Sequence, residues 1–167
     1  NLRLVEFTTD SKLEIIDELA FSKTSIENIS IPSNLIQICE RAFSSCLKLR
    51  SIEFPTNSKL KIIEKEAFYS SSIEKFTIPS NLIDLKERVF KYTKKLKKVS
   101  VDKNNQIFKS INDEIILKKS SIEQKNFDVF VFCVRTFKKL TIPKFIKIIA
   151  PHAFCDCNNL QQIEFPI

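Results

Sequence analysis

Residues 29–46 have the sequence ISIPSNLIQICERAFSSC, and their pattern indicates the architecture of the whole chain. Its first half alternates apolar and polar residues and stops at Pro32, so it predicts a short strand that ends because proline has no N–H for a ladder. Its second half spaces apolar residues by three and then by four to five positions, up to Ala42 and Phe43. That spacing predicts a short extended piece followed by a helical turn.

Both halves recur along the chain. The strand half begins seven times, at intervals of 24, 23, 24, 23, 41 and 23 residues, at Leu2, Ile26, Leu49, Ile73, Leu96, Phe137 and Leu160. The second half recurs five times, and its final aromatic residues are Phe21, Phe43, Phe68, Phe90 and Phe154. A period of roughly 20 to 50 residues is typical of repeat architectures, so the whole chain is one array of similar units.

The repeat predicts an α/β solenoid. A single unit cannot bury its own apolar face, so successive units must stack on one another. Stacking gives a ladder of parallel strands about 4.8 Å apart, a column of phenylalanine rings and short helical turns on the other side. We expect one domain over residues 1–167 with about seven units of 23–24 residues: regular units over 1–101 and 137–167, and an extended unit over 102–136.

The extended unit carries an insertion. The interval from Leu96 to Phe137 is 41 residues, which exceeds the regular interval of 23 by 18. Residues 108–117 contain two short apolar runs on either side of the turn-prone pair Asn112-Asp113, so they predict a hairpin. Residues 127–134 are apolar except for Asp128, which predicts a buried strand where the stack resumes.

The motif of residues 29–46 resembles the BspA-like, or Treponema pallidum-type, leucine-rich repeat family. Units of that family combine Leu-x-x-Ile-x-Ile-Pro with Val-x-x-Ile-x-x-x-Ala-Phe-x-x-Cys, and the resemblance covers essentially the whole chain. The family commonly has Gly after the second Ile, where this chain has Cys39, Glu64, Lys86 and Ala150. In this respect the chain resembles a glycine-poor subfamily of the kind expanded in trichomonad parasites.

The resemblance implies a right-handed leucine-rich repeat coil in a surface or secreted protein of an anaerobic microbe or parasite. Its implied role is adhesion to host or microbial proteins. Two alternatives stay open: a structural spacer without a ligand, and an intracellular interaction scaffold in the cytoplasm. We expect the array to continue beyond this chain, or else its ends to associate end to end, because solenoids need polar capping units. No leader and no transmembrane segment is visible in the sequence.

The chain has no glycine at all. This excludes a P-loop, a Gly-rich dinucleotide fingerprint, a Gly-x-Ser-x-Gly elbow and an EF-hand, because each needs a conformation that only glycine adopts cheaply. The single histidine, His152, lies three residues before Cys155, but it occupies a variable position of the repeat. We therefore predict no enzyme and no cofactor. The candidates for positive φ angles, in the absence of glycine, are Asn34, Asn57, Asn81 and Asn112.

The basic charge is concentrated in one part of the chain. Residues 86–147 contain 17 of the 27 Lys and Arg residues, whereas the chain as a whole has a net charge of +7. The repeat register places Lys75, Lys98 and Lys139 in one outward column of the strand ladder, with Lys97 and Lys138 beside them. This predicts a binding patch for an acidic protein, an acidic glycan or an anionic membrane surface. The alternative is a solvated basic face, and specific nucleic-acid recognition is not indicated because no aromatic platform accompanies the lysines.

Two further features concern modification and thiol chemistry. Asn28 begins the sequon Asn-Ile-Ser, so it is a candidate glycosylation site on the ladder face. The five cysteines are odd in number and irregular in spacing, and the Cys155-Asp156-Cys157 run does not have the spacing of a zinc knuckle. We expect free thiols, with a disulfide or a redox role as alternatives, and no metal site.

Overall fold

In the computed structural model, residues 2–166 are described, and they form fourteen short strands and no helix. The strands, numbered in chain order, are β1 Ile15–Ile16, β2 Asn28–Ser30, β3 Gln37–Ile38, β4 Ser51–Glu53, β5 Ile62–Ile63, β6 Lys75–Ile78, β7 Asp84–Leu85, β8 Lys98–Val101, β9 Phe108–Ile111, β10 Ile115–Lys118, β11 Val129–Cys133, β12 Lys139–Thr141, β13 Ile148–Ile149 and β14 Gln162–Glu164.

The strands form two parallel ladders of a β-solenoid of about seven turns. The first halves of the units pair as β2 with β4, β6 with β8 and β12 with β14. The second halves pair in the order β1, β3, β5, β7, with Ile16 opposite Ile38 and Ile38 opposite Ile63. The predicted parallel ladder is therefore confirmed.

The predicted column of aromatic rings forms the core. Phe21, Phe43, Phe68 and Phe90 stack in sequence, with ring centroids 5.3, 5.6 and 6.0 Å apart and nearly parallel planes. Phe43 and Phe68 are completely buried. Rings at this separation attract one another in addition to the burial of their apolar area.

The predicted helical turns are wrong, and with them the α/β class. Each Ala-Phe segment instead contains two residues at positive φ, four positions apart, and a right-handed helix cannot pass through such residues. The pairs are Leu19 and Lys23, Arg41 and Ser45, Glu66 and Ser70, Arg88 and Tyr92, and His152 and Asp156. Positive φ directs backbone N–H groups along the solenoid axis: Ser45 donates to the Tyr69 carbonyl at 2.7 Å, one unit further along.

The prediction for the asparagines is correct for Asn112 but wrong for Asn34, Asn57 and Asn81. The turns after proline close with an ordinary N–H bond, such as Leu35 to Pro32 at 3.2 Å, and need no positive φ. Asparagine serves a different purpose there. The side-chain amide of Asn34 donates to the Ser11 carbonyl at 2.8 Å, and so links one unit to the preceding one.

The insertion forms the predicted hairpin, in which β9 and β10 are antiparallel around Asn112 and Asp113 at φ 52° and 54°. The buried strand β11 follows it, pairing antiparallel with β10 and parallel with β13. These four strands make a separate sheet in the order β13, β11, β10, β9. The insertion therefore interrupts the regular ladder after β7 instead of extending it.

Candidate functional site

The basic ladder face is centred on β6 and β8. Lys75 lies directly opposite Lys98 in the parallel register of these strands, and both side chains are exposed. The next outward residues along the same strands, Thr77 and Ser100, are joined by a hydrogen bond of 2.8 Å between their hydroxyl groups. Two ammonium groups on strands about 4.8 Å apart repel each other, and within residues 2–166 neither forms an ion pair within 4.0 Å.

The row of three lysines expected from the register is not continuous. Lys139 lies on β12, which pairs with β14 and is separated from β8 by the insertion. Its ammonium group lies 2.6 Å from Glu164, and this contact lowers the pKa of the glutamate. Lys97 and Lys138 are exposed beside the two strands. Within residues 2–166, Lys75, Lys97, Lys98 and Lys138 therefore form no ion pair within 4.0 Å, and the first three lie together on β6 and β8 or directly beside them.

Asn28 lies where the sequon predicts, exposed on β2 of the same ladder face. Its side-chain oxygen accepts a hydrogen bond from Ser51 at 2.7 Å on the neighbouring strand. The amide nitrogen, which is the atom that would carry a glycan, has no hydrogen-bond partner within residues 2–166.

Side chains from beyond the insertion replace the regular contacts where the insertion interrupts the stack. In regular units the second positive-φ residue donates its N–H to a backbone carbonyl of the next unit, but Tyr92 donates to the Asp156 carboxylate at 2.8 Å. Arg135 donates to the Phe90 carbonyl at 2.5 Å and to the Thr93 hydroxyl at 3.3 Å, and it lies 3.8 Å from Asp156. Burial lowers the pKa of Arg135, although its guanidinium stays charged.

The sequence analysis missed Arg135 and Asp156. Arg135 directly follows the buried run of residues 127–134, and a cation at the end of an apolar strand is a signal that it has a partner. No spacing in the sequence indicates which residue that partner is.

All five cysteines are free in the structure. Cys133 and Cys157 approach each other, with 3.7 Å between their sulfur atoms. A hydrogen bond from the Cys133 thiol lowers the pKa of Cys157, and the same bond raises the pKa of Cys133. Burial raises the pKa of Cys46, so its thiol is unreactive.

Two other kinds of feature, a metal-binding cluster and a membrane-spanning helix, are absent from residues 2–166. No group of three or more His, Cys, Asp and Glu side chains is arranged to hold a metal ion. No helix in this part of the chain is long and apolar enough to cross a bilayer.

The comparison with protein families matches the description "BspA type Leucine rich repeat region" in six copies, over residues 1–123 and 125–167. The chain belongs to the BspA-type leucine-rich repeat family. No curated protein matches the chain.

Solved structures of bacterial leucine-rich repeat proteins share the fold. The pneumococcal vaccine antigen PcpA has a TM-score of 0.85 and 29% identity over 95% of this chain. A Faecalibacterium prausnitzii leucine-rich cell surface protein has a TM-score of 0.71 and 19% identity over 89% of it, and a leucine-rich repeat protein from Eubacterium ventriosum has 0.72 and 20% over 93%. The BspA-type chain covers 38%, 44% and 46% of these three proteins, respectively, which is less than half of each.

Proposed function

We propose that this BspA-type chain is a non-enzymatic recognition module at the cell surface, which binds an acidic protein or acidic glycan through its ladder face. The observation that carries the proposal is the exposed pair of Lys75 and Lys98 on adjacent strands, with Lys97 beside it. Like charges held this close by a rigid backbone repel, and a polyanion relieves the repulsion.

A surface location is supported by the likeness to PcpA, which is described as a vaccine antigen. The membership of the family supports a role in protein interaction, since solenoids present extended surfaces for this purpose. Lys138 and Lys139 form a second, weaker part of the patch, because Glu164 already neutralises Lys139.

The test is binding to heparin and to mucin, as probes for sulfated and sialylated glycans, at low and at high salt. We expect binding that weakens steeply between 0.1 M and 1 M salt, since the Debye length falls from about 10 Å to about 3 Å. The triple variant Lys75→Glu, Lys97→Glu, Lys98→Glu should bind at least about tenfold more weakly, which corresponds to 1.4 kcal/mol.

The matched control is Lys12→Glu, Lys48→Glu, Lys61→Glu, which changes the net charge equally at three exposed lysines elsewhere. Binding that is insensitive to salt, or equal losses in the two triple variants, would contradict a specific patch. Absence of binding to either glycan and to acidic proteins would leave the spacer as the better description.

A further inference from the structure

A cleft of about 410 Å³ opens where the regular ladder stops. One wall is β7 with the turn that follows it, over residues 84–91. The opposite wall comes from the end of β10, from β11 and from the last regular unit, over residues 118–120, 129–135 and 148–155. β7 is the last strand of its sheet, so no neighbouring strand fills this space.

The floor of the cleft is apolar. Leu85, Val131, Phe132 and Ala150 line it and are only half-buried, and Ile148 is 47% exposed. In the regular array, the apolar side chains at the equivalent positions of the repeat are covered by the next unit. The interruption therefore leaves a concave apolar surface without a cover.

The rim of the cleft is cationic. Six cationic side chains line it, namely Lys86, Arg88, Lys91, Lys118, Lys119 and Arg135, whereas only Asp84 and Glu87 are acidic. Three of these cations have an acidic partner: Lys86 lies 2.6 Å from Asp84, Arg88 lies 4.0 Å from Glu66 and Arg135 lies 3.8 Å from Asp156. Within residues 2–166, Lys91, Lys118 and Lys119 form no ion pair within 4.0 Å. The excess of positive charge favours an anionic occupant.

Two buried donors belong to arginines that line the cleft. Within residues 2–166, three buried side-chain nitrogen or oxygen atoms have no hydrogen-bond partner, and two of them are the Nε atoms of Arg88 and Arg135. Both arginines line this cleft, and the Arg135 side chain is only 10% exposed. A buried donor without an acceptor leaves the charge of its guanidinium partly uncompensated, which favours an anionic group beside it.

We propose that the cleft binds a single-chain amphipathic anion of the fatty carboxylate class. The carboxylate lies at the cationic rim beside Arg88 and Arg135, and the apolar chain lies on the floor formed by Leu85, Val131 and Phe132. The volume is that of a small-molecule site, which spans roughly 300 to 1,000 Å³ in proteins. The site is separate from the basic ladder face, so the two proposals stand or fall independently.

The experiment is calorimetric titration of the 167-residue chain with decanoate below its micelle concentration. Decanol serves as the neutral probe with the same chain, and acetate as the anion without a chain. We expect decanoate to bind at least about tenfold more tightly than either of them, because only decanoate uses both halves of the site. Equal affinity for decanoate and decanol, or for decanoate and acetate, would overturn the proposal.

Variants locate the site. Arg88→Met should weaken decanoate binding about tenfold, whereas Arg50→Met, at an exposed arginine outside the cleft, should leave it unchanged. Ala150→Trp should block the cleft without removing a charge, and Arg88→Lys should restore part of the affinity. Thermal melting confirms that each variant is folded.

Three outcomes contradict the assignment. The first is unchanged binding in Ala150→Trp, and the second is an equal loss in Arg88→Met and Arg50→Met. The third is tighter binding of an extended apolar peptide with a free carboxyl terminus than of decanoate, which would make the occupant a protein segment.

Discussion

The regular units before residue 102 and the extended unit over 102–136 differ in how one turn of the solenoid stacks on the next. In the regular units the backbone bonds of one turn are repeated in the next, and Phe43 and Phe68 stack face to face. In the extended unit a three-stranded meander replaces the turn, and the Asp156 carboxylate replaces a backbone acceptor. A strict repeat leaves no space between turns, whereas an interrupted repeat leaves a cleft.

The two regions also differ in what surrounds their buried phenylalanine rings. Phe68 in the regular array and Phe108 in the extended unit are both buried. Phe68 has three ring neighbours, at 5.4 to 6.0 Å, whereas no aromatic ring within residues 2–166 stacks on Phe108. The first ring belongs to a column, whereas the second has the Lys118 ammonium group over its face, 5.7 Å from the ring centroid.

The largest expected effect comes from Phe68→Ala. We expect the free energy of unfolding to fall by about 3–5 kcal/mol, since a buried ring is replaced by a cavity. Phe108→Ala should lower the free energy of unfolding by a smaller amount. Phe108 has no stacked ring partner, and each stacked pair contributes about 0.5–1.5 kcal/mol. Urea denaturation of both variants measures the difference.

Phe165→Ala is the control for these two variants, because Phe165 is 66% exposed, and its effect should lie within about 0.5 kcal/mol of zero. An equal loss in Phe68→Ala and Phe108→Ala would show that the aromatic column adds nothing to apolar burial.

A smaller effect is expected at the positive-φ turns of the regular units. Ser70 has φ 54°, so Ser70→Gly relieves a left-handed conformation that costs about 1–2 kcal/mol. The freer unfolded chain offsets about 0.4–1 kcal/mol of this gain, and we expect a net stabilisation of about 0.5–1 kcal/mol. Thermal unfolding of the variant checks the sign.

Ser80→Gly is the matched substitution, because Ser80 is also half-buried but does not have a positive φ. Ser80→Gly should lower the free energy of unfolding by about 0.4–1 kcal/mol. Destabilisation by both substitutions would mean that the paired positive-φ turns carry no relievable strain.

The smallest effect is local and lies in the extended unit. Asp128 accepts hydrogen bonds from the backbone N–H and the hydroxyl of Ser120, both at 2.9 Å, and the backbone bond lowers the pKa of the carboxyl. Its contribution is therefore complete at neutral pH and is lost as the pH falls through that lowered pKa. Asp128→Asn should reduce the protection of the Ser120 amide from hydrogen exchange at neutral pH.

The amide of Phe108 is the internal control, since it donates to Asn105 in the same unit and should keep its protection in Asp128→Asn. In the unsubstituted protein, acidification should expose the Ser120 amide before it exposes that of Phe108. An unchanged protection factor at Ser120 would contradict the anchoring role of Asp128.

Much of the fold was predictable, because the repeat specifies each contact several times. The register of Ile16 with Ile38 and the hairpin at Asn112 both follow from local pattern. The helical turn was wrong, because apolar spacing does not distinguish a helix from a turn with left-handed residues such as Arg41 and Ser45. The pairing of Lys75 with Lys98 followed from the period, but the separation of Lys139 did not.

The period, the inward apolar residues, the aromatic column and the concentration of lysines all follow from the amino-acid sequence, because a fixed period relates each residue to its equivalent one unit away. The contacts at the junction with the insertion depend on the three-dimensional fold. Arg135 reaches Phe90 across 45 residues and Asp156 reaches Tyr92 across 64, and neither separation is part of the repeat. Where the period is broken, side chains find partners through space, and the spacing of residues no longer says which partners they are.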